Sequence, residues 1–294
     1  MVALDGRDRG GIERVDQRPI GVFDSGFGGL TVARALIDLL PGEELVYVGD
    51  TARYPYGSRK AEEVRAFALE IAEHLVAVEG VKMLVVACNT AASVALELLR
   101  STCGVPVVGV VEPGLRAALH ASARGAVGVI GTVGTIASGS YQRAAKELAP
   151  EVDLTCAACP GFVEFVERGE TDSDQVHVLA ERLLAPLVDA GVDTVLLGCT
   201  HYPYLARTIG DVMGRDVLLV SSAEETAFDV RDVLVSSGLR ADPARHVEHR
   251  FLSSGDTEWF TEMGGRLLGP ELGQARAVTF GTAGVLSRGE GPTG

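Results

Sequence analysis

The sequence predicts an α/β protein of two similar domains, each a doubly wound parallel sheet, related by a pseudo-two-fold axis and sharing a site in the cleft between them. Three observations predict this. Short, continuous apolar runs alternate with stretches of three-to-four hydrophobic spacing, and continuous runs suit strands buried on both faces of a parallel sheet. The pattern then restarts: the run at 126–131 with its Thr132-Val133-Gly134-Thr135 turn resembles the run at 20–23 with its Asp24-Ser25-Gly26-Phe27-Gly28-Gly29 turn. Finally, two apolar runs end in a cysteine followed by hydrogen-bonding residues, VVACNTAAS at 85–93 and VLLGCTHYPY at 195–204.

In chain order, residues 19–23 form the first strand, and its glycine-rich turn leads into a helix over 30–40. Free N–H groups at such a helix start favour an anion. The turn is not a dinucleotide fingerprint, because GxGxxG counted from Gly26 requires a glycine where Thr31 stands. Residues 44–48 are the next strand, ending in the chemically dense loop Gly49-Asp50-Thr51-Ala52-Arg53-Tyr54-Pro55-Tyr56-Gly57. Residues 60–78 carry Val64, Phe67, Ala68, Ile71, Leu75 and Val78 at helical spacing. The strand 81–87 stops at Cys88, where Asn89 or Thr90 can cap the following helix, and 105–111 is a further strand.

The second half continues from strand 126–131 into a helix reaching about residue 148. A proline-started helix over 159–169 places Glu164 and Glu167 three apart on one face. Residues 172–190 form a helix, 192–198 a strand ending at Cys199, 216–220 a strand and 223–237 an amphipathic helix; 247–253 and 277–282 complete the strands. If the second half runs from 113 to 221, the C-terminal segment must rejoin the first. Domain one is then 19–112 plus 222–284, domain two 113–221, with tails at 1–18 and 285–294.

A length of 294 residues suits two domains, or one large one. The net charge of −14 repels nucleic acid and anionic membrane surfaces at long range, so neither is an expected partner. No apolar run approaches the roughly 18 residues of a membrane span. Residues 1–18 are rich in Asp, Arg and Gly without a hydrophobic stretch, unlike a signal peptide. Five cysteines is an odd number for a disulfide framework, and a reduced, cytoplasmic chain is the simpler account.

A cysteine between a buried strand and a helix start is placed to be a thiolate, since the helix N–H groups stabilise the anion and lower the thiol pKa. A single such cysteine is more often a small core hydrophobe; two in matching contexts point to function. His201, two residues past Cys199, can pair with the thiol or with a carboxylate, or simply order its loop. Asp24, Asp50 and Glu167 are candidate carboxylates, each also explicable as a solvated charge. Cys156-Ala157-Ala158-Cys159 lacks the second pair of a zinc site and the helix-start context of a redox motif, and Cys103 carries no signal. The three lysines, Lys60, Lys82 and Lys146, stand away from any strand-end loop with a phosphate cradle, so pyridoxal chemistry is not expected and no cofactor or metal is implied.

The motifs FDSGFGGLTV, GDTARYPYG, ACNTAA and GCTHYP, in this order, resemble those of the bacterial glutamate racemases, and the resemblance covers roughly residues 19–282. It implies a cofactor-independent isomerase with Cys88 and Cys199 as two acid/base thiols. Asp24 and Ser25, Tyr56 and Gly57, Asn89 and Thr90, and Thr200 and His201 match substrate-binding pairs. Asp50, Glu167 and His201 match polar residues that tune the thiols, Asp50 also being counted with the substrate-binding set. Related aspartate racemases typically carry an acidic residue in place of His201, so glutamate is favoured over aspartate. Gly161, Glu164 and Tyr204 depart from the family pattern, which leaves open whether Glu164 or Glu167 serves the site. The resemblance further implies a homodimer and a role in making peptidoglycan precursors.

Overall fold

The computed structural model describes residues 15–280. The first lobe begins with β1 (Ile20–Asp24), α1 (Leu30–Leu39), β2 (Leu45–Gly49), α2 (Ala61–Ala77), β3 (Met83–Val86), α3 (Asn89–Thr102), β4 (Val107–Gly109) and α4 (Val111–Ala121). The second contains β5 (Ala126–Gly131), α5 (Val133–Ala137), α6 (Ser140–Leu148), β6 (Asp153–Ala158), α7 (Phe162–Glu167), α8 (Asp174–Asp189), β7 (Thr194–Gly198), α9 (Ala206–Met213) and β8 (Leu218–Val220). The chain then supplies α10 (Ala223–Ser236), β9 (Arg250–Ser253), α11 (Thr257–Leu268) and β10 (Arg276–Ala277).

Every strand pairing is parallel, in a six-stranded sheet ordered β10-β9-β2-β1-β3-β4 and a four-stranded sheet ordered β6-β5-β7-β8. The order β2-β1-β3-β4 recurs as β6-β5-β7-β8, so β3 and β7, the strands that precede Cys88 and Cys199, occupy equivalent places. The C-terminal strands β9 and β10 extend the first sheet beside β2.

Burial explains the strand sequences. IGVFD of β1, LVYVG of β2 and MLVV of β3 are buried at every residue, as central strands covered on both faces must be. In the second sheet, successive residues feed two cores. Leu196 joins the large core that continues from the first lobe, whereas Val195 and Leu197 face a smaller core with Phe162, Leu184 and Tyr202. The edge strands β6 and β8 are only partly covered.

Several sequence expectations shift in detail. The helix expected up to residue 148 is broken into α5 and α6 at Gly139, whose φ of 69° lies in the left-handed region. The expected strand 105–111 is confined to Val107–Gly109 because α4 starts at Val111, with Pro113 tolerated in its first turn. Residues 15–18 are tied down: the Asp16 N–H donates to the Arg240 carbonyl at 3.0 Å, and Lys82 Nζ donates to the Asp16 carbonyl at 2.6 Å. Lys82 is buried with Glu43, Nζ to Oε2 2.6 Å, and Glu43 Oε1 accepts from the Ala241 N–H at 2.7 Å. The tail expectations for residues 1–14 and 285–294 lie outside the described residues. Among the described residues, no helix is long and apolar enough to cross a membrane.

Candidate active site

Parallel sheets collect their functional loops at the carboxyl ends of the strands. Here both sheets do so around one cavity of about 90 Å³. Asp24 ends β1, Cys88 and Asn89 follow β3, Thr132 follows β5, Cys159 follows β6 and Cys199 follows β7; all line the cavity. At about 10 to 15 Å³ per water, that space suits a ligand of amino-acid size.

Cys88 is 5% exposed and caps the N-terminus of α3. Its thiol donates to Ser25 Oγ at 3.8 Å, and the N–H groups of Ala91 and Ser25 point at the sulfur. The expectation of a lowered pKa is nevertheless overturned. Burial, then the charge of Asp24, push the thiol up to about 12, outweighing the helix start and the N–H groups. Asp24 is itself buried, with Oδ2 accepting from the Gly29 N–H at 2.7 Å at the start of α1. Gly29 allows that close approach: a Cβ on it would sit 2.7 Å from the Asp24 Cβ.

Cys199 is built differently. No α-helix begins beside it; a short 3₁₀ turn, Tyr202–Leu205, follows instead. Its sulfur lies 4.0 Å from His201 Nδ1. Burial drives this thiol up as well, outweighing the His201 backbone N–H that favours the thiolate, and the negative charge of Asp24 adds to the rise. His201 is 2% exposed, and burial lowers its pKa against the opposing pull of Asp24 and Glu164. The Phe27 ring meets the imidazole edge-on at 5.1 Å, and the Tyr54 hydroxyl lies 3.3 Å from Nε2. Both come from the first lobe. Gly28 permits the approach, since a Cβ there would fall 2.8 Å from His201 Nδ1.

Polar contacts between the lobes frame the rest of the cavity. Asn89 Nδ2 donates to the Tyr141 hydroxyl at 2.9 Å, while Asn89 Oδ1 is buried without a hydrogen-bond partner. The hydroxyls of Thr90, Thr132 and Thr135 form a triangle with edges of 3.0, 3.2 and 3.0 Å. Gly57 touches Thr132 so closely that a Cβ would lie 2.8 Å from the threonine Cβ.

Of the residues singled out by sequence, Asp24, Ser25, Tyr56, Gly57, Cys88, Asn89, Thr90, Cys199, Thr200 and His201 line the cavity. Asp50 does not. It is fully buried behind the wall, accepting from the Tyr56 hydroxyl, from Arg53 Nε at 2.7 Å and from Ser254 Oγ at 2.6 Å, which leaves it orienting Tyr56. Glu167 is also off the wall, beside the Tyr54 hydroxyl, whereas Glu164 lines the cavity.

Cys159 and Thr132 line the cavity without having been assigned to a site by sequence. Thr132 could have been found by the repeat, since it follows β5 much as Asp24 and Ser25 close β1. Cys156 and Cys159, three apart, belong to opposite sides of the second sheet, with Cys156 against the large core and Cys159 in the smaller one. All five cysteines are free thiols. No group of three or more metal-ligating side chains occurs among the described residues.

Comparison with known proteins agrees with this geometry. The family model described as Asp/Glu/Hydantoin racemase matches residues 20–227. The glutamate racemase of Acidothermus cellulolyticus is 56% identical over 261 residues, covering 88% of this chain and 98% of that protein. The crystal structure of glutamate racemase isoform RacE1 from Bacillus anthracis superposes with a TM-score of 0.85 at 42% identity, covering 90% of this chain and 98% of that one. The Francisella tularensis glutamate racemase in complex with D-glutamate superposes with a TM-score of 0.83 at 30% identity, with the same coverage of both chains. The chain belongs to the Asp/Glu/hydantoin racemase family and, within it, to the glutamate racemases.

Proposed function

We propose that this glutamate racemase interconverts L- and D-glutamate by passing the α-proton between Cys88 and Cys199, one thiol on each side of the substrate carbon. The observation that carries the reading is the pair itself: two buried thiols, at equivalent strand ends of two repeated sheets, line one small cavity. One base on each face removes a proton from one side and returns another to the opposite side without turning the substrate over.

Without substrate both thiols hold their protons, because burial outweighs every stabilising contact. The substrate ammonium supplies the missing positive charge, and an opposite charge nearby favours a thiolate. Asp24 stands beside Cys88 and His201 beside Cys199 to take up the displaced proton, and the roles exchange with direction. The buried, unpartnered Asn89 Oδ1 is a suitable acceptor for the ammonium. Ser25, Thr90 and Thr200 offer donors to the carboxylate, whose negative charge grows as the α-proton leaves. Asp50 and Glu167 act from behind the wall, Asp50 through Tyr56.

No lysine lines the cavity, and Lys82 is held by Glu43, so the chemistry proceeds from thiols rather than a Schiff base. We place the enzyme in the cytoplasm as a homodimer, supplying D-glutamate for peptidoglycan, as the family does.

The test is conversion of L-glutamate in heavy water without added cofactor, followed by circular dichroism and mass spectrometry. Product should gain one α-deuterium while recovered substrate stays unlabelled early on. Rapid labelling of the starting enantiomer would point to one base, and faster turnover of aspartate would reassign the substrate.

A further inference from the structure

Four of the residues that line the cavity are exposed, and they mark where it opens: Ser58, Val133, Pro160 and Glu164. Asp24, Cys88, Cys199 and His201 are buried. Of the four at the opening, Glu164 alone carries a charge. Helix geometry puts it there. The short helix α7 buries Phe162 and Val166, four apart, and the Phe162 ring meets Tyr202 edge-on at 5.4 Å. Glu164 lies midway between them in sequence and so projects from the opposite face. The start of the helix is held close to α8, since a Cβ on Gly161 would fall 3.0 Å from Leu179 Cδ2.

Nothing at the opening offsets this charge. No lysine or arginine lines the cavity. Arg168, one turn further along the chain, is paired with Glu170 at 2.9 Å. The field of Glu164 also reaches inward. Burial raises the pKa of Glu167, and Glu164 adds to the rise. Burial lowers that of His201, and Asp24 and Glu164 oppose it.

We propose that Glu164 is a specificity-determining residue, a charge filter at the opening that disfavours dicarboxylates lacking an ammonium more than it disfavours glutamate. Glutamate at neutral pH carries two carboxylates and one ammonium, for a single net negative charge. A five-carbon diacid without the ammonium, such as glutarate, has nearly the same length and carries two. The neutral donors of the cavity, Ser25, Asn89, Thr90 and Thr200, can hydrogen-bond the carboxylates of either. A fixed negative charge at the entrance acts on each ligand in proportion to its net charge, so it costs the dianion twice the free energy that it costs the monoanion. The filter weakens glutamate somewhat and excludes its ammonium-free mimics more.

This inference deepens the reading of the cavity as the glutamate site and rests on it. The test is Glu164→Gln, which keeps the shape of the side chain and removes its charge. At an ionic strength of about 0.02 M, KM should fall about threefold for both enantiomers, the worth of one unit charge acting through largely aqueous surroundings. With kcat kept within about twofold, the change is one of uniform binding. The inhibition constant of glutarate should fall about tenfold, the square of the effect on glutamate. At about 0.5 M salt both gaps should close, because exposed charges are then screened within a few ångströms. Glu147→Gln, an exposed residue of α6 away from the cavity, changes the net charge equally and should move neither constant.

An unchanged KM in Glu164→Gln overturns the proposal. So does a glutarate constant that falls no further than KM, an effect that survives high salt, or an equal effect from Glu147→Gln. A large loss of kcat with KM unmoved would place Glu164 in the proton chemistry through His201 instead, and overturns the filter. Rapid labelling of the starting enantiomer in heavy water would reassign the bases and leave these ratios untouched.

Discussion

The two halves of the cavity repeat a topology but not a chemistry. On the first side, Cys88 starts a fourteen-residue helix, touches Ser25 and neighbours the anchored carboxylate of Asp24. On the other, Cys199 precedes a 3₁₀ turn and lies 4.0 Å from an imidazole wedged between aromatic rings of the opposite lobe. The foundations differ too. Lys82, immediately before β3, is buried in an ion pair with Glu43. Asp193, immediately before β7, accepts hydrogen bonds from Ser122 Oγ at 2.6 Å and the Arg124 N–H at 2.8 Å. Strand order fixes where a thiol stands; the loops decide what it can exchange a proton with.

The harshest test of this comparison removes one thiol at a time. Cys88→Ala or Cys199→Ala should lower racemisation by about four orders of magnitude or more, since a unit of interdependent groups fails when one member goes. Each variant retains one base, so α-proton exchange in heavy water should survive for only one enantiomer, opposite in the two variants. Exchange of both enantiomers by either variant would break the assignment of one thiol to each face.

Next come the foundations. Glu43→Ala strands the Lys82 ammonium in the interior and should cost about 3 to 5 kcal/mol in urea unfolding. The smallest effect is expected at the matching position. Asp193→Ala removes hydrogen bonds close to the surface and should cost about 1 to 2 kcal/mol. For Asp193, burial raises the pKa, but the hydrogen bonds from Ser122 and Arg124, with the Arg124 charge, favour the carboxylate and the net shift is downward. A carboxyl whose folded pKa is depressed stabilises above its unfolded value of about 3.9 and loses that contribution as pH falls toward the folded value. The gap between wild type and Asp193→Ala should therefore be full at pH 7 and narrow as the medium is acidified below about pH 4. Equal penalties for the two substitutions would mean that the strand starts are supported alike.

The central strands and the site were legible for the same reason. Buried parallel strands read as unbroken apolar runs, and polar residues that end such runs stand at the carboxyl edge of the sheet, where both lobes meet. The strand β6 was not legible: DLTCAA lies at a sheet edge with only Ala157 buried, so it has no such run. Helix α4 hid behind Pro113 and Gly114, which look like a break but fall in its first turn.

In the site, Asp50 looked like a ligand-binding residue because it sits in the right loop. Its oxygens are instead engaged by Tyr56, Arg53 and Ser254, and Ser254 is two hundred positions away in the chain. The thiol pKa values were misjudged because the helix start is visible in sequence, whereas the depth of burial is not. Tyr54 gave no sign of itself, since His201, which its hydroxyl meets, belongs to the other lobe.

A chain of L-residues can rotate one half onto the other, but it cannot make itself into its own reflection. Glutamate's two mirror forms have equal free energy, so kcat/KM must be identical whichever form is supplied. An aspartate flank on one side and a histidine flank on the other can therefore show themselves only as unequal maximal rates, each offset by a proportionate difference in half-saturation. The enzyme is even-handed when substrate is scarce and free to favour one hand when it is abundant.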